Sequence, residues 1–130
     1  MPIHIIDDEV VITECLSSLL RSHSDKISCF HSAEEYLTYM ESEGYVEPRL
    51  IITDVRMGGM DGFELIKTVR ENGSTAKTIV MSGFHGYNKF PEQYFDDFLV
   101  KPFDIERLQL MVSQLLADSS HRTRPASYMK

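Results

Sequence analysis

Short apolar runs alternate with stretches of helical period along this chain, five times over. The runs are Ile3 to Ile6, Ile27 to Phe30, Leu50 to Thr53, Thr78 to Met81 and Phe98 to Val100. Three are apolar on consecutive positions, the pattern of a strand covered on both faces. Between them, Ile12, Cys15, Leu16, Leu19 and Leu20 form one apolar stripe. Ala33, Tyr36, Leu37 and Met40 form a second at i, i+3, i+4 and i+7, the spacing of one helix face. Leu65, Ile66 and Val69 make a shorter third, and Leu108, Met111, Val112, Leu115 and Leu116 run over two full turns. Ser32 with Glu35, and Asp61 with Glu64, have the spacing of a capping box. Asp104 stands where the last helix needs an N-cap, and Gly73 and Gly44 fall where helices should stop. Five β–α alternations predict a doubly wound α/β fold, a five-stranded parallel sheet with helices on both faces.

One stretch breaks the pattern. Between Ser82 and Phe98, where a fourth helix belongs, the chain carries Gly83, Gly86 and Pro91. Proline in a helix interior costs about 3 kcal/mol, so residues 83–97 are expected to hold a short, kinked or partly unwound helix. From residue 118 to Lys130 the apolar period is lost, and Ser, Arg and His dominate. Residues 1–117 are therefore read as the folded domain and 118–130 as a disordered tail or the start of a linker.

Composition narrows the function. The 130 residues suffice for one core, and a formal charge of −7 argues against nucleic acid or an anionic membrane as the main partner. No apolar run approaches the roughly 18 residues of a membrane span, and no signal peptide opens the chain. Cys15 and Cys29 suit buried thiols in a reducing cytoplasm better than a disulfide framework. His4, His23, His31, His85 and His121 never fall at ligand spacing, which gives no zinc site. Gly58, Gly59 and Gly62 match neither phosphate-cradling glycine motif.

In a doubly wound sheet, ligands bind outside the carboxyl ends of the strands. The residues to examine are those that follow each run: Asp7, Asp8 and Glu9, then Asp54, then Ser82, then Lys101. Parallel strands end on one edge, so these distant positions must converge. Two unit charges about 4 Å apart repel by roughly 4 kcal/mol at an effective dielectric near 20. Three aspartates together therefore call for a hard divalent cation with oxygen ligands, Mg²⁺ or Mn²⁺, with Mg²⁺ favoured because it accepts few carboxylates alongside water and phosphate. With the metal and Lys101 binding a phosphoryl group, one aspartate can attack phosphorus in line to form an acyl phosphate. Asp54 stands alone at its strand end and suits the nucleophile; Asp7 and Asp8 come as a pair and suit the metal.

These residues resemble the response regulator receiver domains of two-component signalling, the CheY-like superfamily. Ile5-Ile6-Asp7-Asp8-Glu9 resembles the family's acidic pair, and the segment from Asp54 to Leu65 its phosphoacceptor loop. Met81-Ser82-Gly83 is similar to its switch hydroxyl, Lys101-Pro102-Phe103 to its lysine–proline signature, and Phe98 to its aromatic switch position. The likeness covers about residues 2–117. It implies a flavodoxin-like fold with strand order 2-1-3-4-5 and phosphorylation of Asp54 by a sensor histidine kinase or a phosphotransfer protein. It further implies Mg²⁺ held by Asp8, Asp54 and the backbone carbonyl of Arg56, with Asp7 acting through water. Lys101 would pair with one phosphoryl oxygen, Ser82 would swing to another, and Phe98 would rotate inward. The Lys101–Pro102 peptide is a candidate for cis, and homodimerisation on phosphorylation is a family output. On this reading the chain is a cytoplasmic signalling phosphoprotein that catalyses only its own phosphorylation and dephosphorylation. It binds neither nucleic acid nor membrane itself.

The sequence also departs from the family. Gly58 replaces a common proline, which should loosen the loop after Asp54. Phe95 and Asp96 stand where Gly and Ala are usual, and the span from Ser82 to Lys101 is short. Taken singly, each site residue has a plainer role. Asp7 and Asp8 could cap the first helix, Ser82 another, and Phe98 could be core. Competing functions are a Mg²⁺-dependent aspartyl-phosphate phosphatase, a flavodoxin-like electron carrier, and a scaffold that is never phosphorylated. The first lacks a second acid at position 56, which is Arg, and Asp7, Asp8 and Glu9 would repel the phosphate of the second.

Overall fold

The apolar runs become strands: β1 (Ile3–Ile6), β2 (Ile27–Phe30), β3 (Leu50–Asp54), β4 (Lys77–Ser82) and β5 (Asp97–Val100). The computed structural model describes residues 2–83 and 95–118. The sheet is parallel throughout and its order is β2-β1-β3-β4-β5. β1, β3 and β4 are buried along their whole length, whereas the outer strands β2 and β5 are partly exposed. The match with the apolar runs is imperfect: fully buried β1 carries His4, whose Nδ1 lies 2.8 Å from the Tyr36 hydroxyl, whereas the apolar run of β5 is only partly buried.

Helices α1 (Val10–Leu19), α2 (Ala33–Met40), α3 (Gly62–Glu71) and α4 (Ile105–Ala117) cover the sheet. Side chains alternate along a strand, so the core divides in two. Ile3, Ile5, Leu50 and Ile52 pack with Leu16 and Leu20 of the α1 segment and with Leu108, Met111 and Val112 of α4. Ile6 and Ile51 pack on the other face with Ala33 and Tyr36 of α2 and with Leu65, Ile66 and Val69 of α3.

Three N-caps match their sequence signals. Ser32, Asp61 and Asp104 accept from the amides of Glu35, Glu64 and Glu106. Gly73 adopts φ 93° directly after the cap of α3, as a left-handed stop should. Gly44 does not: α2 ends at Met40 with Glu41 as its cap, and positive φ occurs only at Gly59 and Gly73 among the described residues.

The two thiols are less buried than expected. Cys15 is exposed and Cys29 intermediate. Thr13 takes the inward place on α1, because its hydroxyl is satisfied by the carbonyl of Val10 at 2.8 Å. Cys29 lies on the outer strand β2, where cover is incomplete.

The end of α4 is tied to the sheet. Arg49 donates to the carbonyls of Leu116 and Asp118, and Lys77 Nζ lies 3.1 Å from the Asp118 carboxylate. The irregular fourth helix expected within 83–97 falls largely on 84–94, and the tail beyond Asp118 on 119–130, both outside the described residues. No described helix is long and apolar enough to cross a membrane.

Candidate functional site

Because the strands are parallel, their carboxyl ends share one rim. Asp7 and Asp8 follow β1, Asp54 ends β3, Ser82 ends β4, and Lys101 follows β5. Asp7, Asp8 and Asp54 each offer a carboxylate oxygen, and these oxygens all lie within 4.8 Å of one another. Asp7 is fully buried, Asp54 nearly so, and Asp8 exposed. Lys101 Nζ stands 2.8 Å from Asp7 Oδ2 and 3.2 Å from Asp54 Oδ1. The cluster inferred from the sequence is therefore assembled, with its lysine inside it.

Charge is unbalanced there: three carboxylates face one ammonium. Burial, followed by the charge of Asp7, pushes the Asp54 carboxyl up to about 6, against the opposing pull of Lys101. Burial also works against the Lys101 ammonium, but its hydrogen bond to Asp7 and the charges of Asp54 and Asp7 outweigh that, and its pKa rises. Carboxylate oxygens all within 4.8 Å of one another are near enough to share one small cation. The donor set, all carboxylate oxygen, is of the hard type that Mg²⁺ and Mn²⁺ take.

Asp7 serves two ends. Its other oxygen accepts the amide of Glu9 at 2.9 Å, at the entry to α1, where the N-cap Glu9 makes no side-chain cap of its own. The plain capping role thus holds for Asp7 alongside its place in the cluster.

Ser82 is buried, and its carbonyl accepts the Lys101 amide at 2.9 Å, which ties the ends of β4 and β5 together. Phe98 is half-buried and pairs with Val80 in register, two positions before Ser82 on the neighbouring strand. Arg56 lies two residues beyond Asp54 with its side chain exposed. The Lys101–Pro102 peptide is cis.

Two features of the loop after Asp54 have no counterpart in the sequence reading. A Cβ on Gly62 would collide with the carbonyl oxygen of Asp54, and the Gly62 amide donates to the Val55 carbonyl at 2.8 Å. Glu34 of α2 accepts the amide of Met60 at 2.9 Å. The one sequence signal was a glycine directly after the N-cap Asp61, at a position where glycine has no intrinsic helical advantage.

The unusual Phe95 and Asp96 have structural partners. Phe95 stacks on Phe63 with ring centroids 6.1 Å apart. Asp96 accepts the Thr78 amide at 2.8 Å and faces the buried Arg70 guanidinium at 3.6 Å, near the start of β4 and away from the acidic rim.

Comparison with known proteins agrees with this fold. Residues 3–113 match the family model described as response regulator receiver domain. The chain belongs to that family, whose members are signalling proteins. Among its relatives is the transcriptional regulatory protein FixJ of Azorhizobium caulinodans, 33% identical over 128 residues, which cover 95% of this chain and 59% of that protein. An uncharacterised 14.6 kDa protein of Leptolyngbya boryana is 32% identical over 90% of this chain and 92% of its own. Among solved structures, the response regulator TrrA of Thermotoga maritima in complex with Mg²⁺–BeF superposes with a TM-score of 0.76. It is 27% identical, with 88% of this chain and 97% of that one covered. The chain spans about half the length of the first curated relatives it matches.

Proposed function

We propose that the protein is a phosphoacceptor switch of a two-component relay in which Asp54 takes a phosphoryl group from a sensor histidine kinase or phosphotransfer protein. The observation that carries this reading is the convergence of Asp54 with Asp7, Asp8 and Lys101 on one rim. A carboxylate oxygen of Asp54 attacks phosphorus, the bond from phosphorus to the donor's leaving group breaks, and an aspartyl phosphate remains. Lys101, already 3.2 Å from Asp54, then pairs with a phosphoryl oxygen. Ser82 lies on the adjacent strand end, where its hydroxyl donates to another, and Phe98 follows Ser82 inward. Asp8, Asp54 and the Arg56 carbonyl would hold Mg²⁺ (or Mn²⁺), with Asp7 through water; when bound, the ion neutralises the acids and the incoming phosphoryl charge. TrrA, with its Mg²⁺–BeF complex, supports this by likeness.

Residues 1–117 constitute the switch module in this proposal, and 118–130 a tail or linker. The module acts in the cytoplasm without binding nucleic acid or membrane itself, and homodimerisation is one available output. Relatives named as transcriptional regulators extend well beyond the matched region, so a fused output domain is another.

Incubation with a small phosphodonor and Mg²⁺, followed by intact-protein mass measurement, tests the assignment. One added phosphoryl group, absent in Asp54→Asn, is expected. Equal modification of both proteins would remove Asp54 from the role.

A further inference from the structure

The loop that leaves Asp54 carries Gly58, Gly59 and Gly62, and so much backbone freedom is entropically costly to fix. Two hydrogen bonds help to fix it. At the base, the Gly62 amide donates to the Val55 carbonyl and closes residues 55–62 on themselves. At the tip, the Met60 amide donates to Glu34 Oε2 at 2.9 Å. Glu34 belongs to the first turn of α2 and lies outside the cluster of Asp7, Asp8 and Asp54.

The fit at the tip is close. Gly59 has φ 85° and lies beneath the same carboxylate, so that a Cβ there would stand 2.7 Å from Glu34 Oε2. The carboxylate thus covers two successive loop residues. An ionised acceptor on a backbone amide makes a stronger bond than a neutral one, and the Met60 amide in turn holds the Glu34 carboxyl below its ordinary range.

We propose that Glu34 is a positioning residue for the acidic cluster, pinning the Met60 amide so that the 55–61 loop presents the Arg56 carbonyl to a Mg²⁺ ion held by the aspartates. This rests on the reading of the cluster as a Mg²⁺ site. The physical logic is that of an outer partner that orients a metal ligand it does not itself replace, and loss of such partners typically weakens metal binding tenfold or more. A proline at 58 would restrict the same loop by locking φ. This chain has glycine there and supplies the restraint from α2.

Calorimetric titration of Mg²⁺ into the full chain tests the proposal, with urea unfolding in chelator as the control for folding. Glu34→Ala should weaken Mg²⁺ binding roughly tenfold while its metal-free urea midpoint stays close to that of the parent. Glu34→Gln, which keeps an acceptor oxygen, should fall between the two. Adding Gly58→Pro to Glu34→Ala should recover most of the affinity. Gly58 does not have positive φ, so its backbone does not exclude proline on that ground. Equal Mg²⁺ affinity in the parent and Glu34→Ala overturns the proposal and leaves the metal-site reading intact, provided Asp54→Asn binds weakly. An equal loss in Glu34→Ala and in the proline double variant overturns the loop-positioning account. Absence of Mg²⁺ binding by the parent overturns the site reading itself.

Discussion

Gly62 stands so close to Asp54 that a single methyl group on its α-carbon would drive into the aspartate's backbone carbonyl. The obstruction is main chain, and it cannot rotate away. Gly62→Ala should therefore destabilise the protein by about 1–3 kcal/mol, the usual range for overpacking. It should also slow modification by a small phosphodonor, because relief of the clash moves the end of β3. Urea unfolding and intact mass on the same samples check both outcomes. Unchanged stability would mean that the loop yields freely.

Removing the charge of Asp54 should relieve repulsion. In chelator at pH 7, Asp54→Asn is expected to melt higher than the parent, since the carboxylate is buried beside Asp7. Saturating Mg²⁺ should raise the parent and move the variant much less. Thermal melts with and without metal decide this, and equal parent curves in both buffers would contradict it.

Acid should erase that difference. The Asp54 carboxyl is raised from 3.8 to about 6. Between those values the folded state holds a proton that the unfolded chain lacks, so this group adds stability as the pH falls through 6 towards 3.8. His4 works in the opposite sense. Burial lowers it from 6.5 to about 4, so the unfolded chain takes up a proton first, and stability is lost as the pH falls through that window. In the metal-free parent the two terms oppose one another. Asp54→Asn keeps only the His4 term. Its advantage over the parent at pH 7 should therefore shrink steadily and be gone near pH 4, as read from urea midpoints in chelator.

Lys101→Met should leave the fully buried Asp7 carboxylate without its 2.8 Å partner. Breaking a buried pair costs about 3–5 kcal/mol, and part of that should be lost here because Lys101 is itself partly exposed. Mg²⁺ should restore some of the lost stability by replacing the missing positive charge. Denaturation in chelator and in Mg²⁺ measures both effects.

How far the sequence reveals this molecule depends on the kind of signal. β3 and β4 are legible because burial on both faces favours apolar residues on consecutive positions, as at Leu50–Ile52 and Ile79–Met81. The convergence of Asp7, Asp8, Asp54 and Lys101 follows from parallel topology alone. Thr13 in place of Cys15 was not legible, since a hydroxyl can enter a core once it bonds the carbonyl of its own helix. Nor were Gly62, Glu34 or the Arg70–Asp96 pair. Close backbone approach and amide bonds across distant elements leave no periodic trace in a chain.

Arg49 and Lys77 stand at the starts of β3 and β4, and they grip Asp118 there. Asp54 lies at the other end of β3, about 16 Å away at the rise of an extended chain, on the rim it shares with Asp7 and Asp8. Whatever continues past residue 118 is thus launched from the pole opposite the chemistry. In the proposed switch, a signal from Asp54 to residue 118 runs the length of the central strands as a mechanical change in their packed layers.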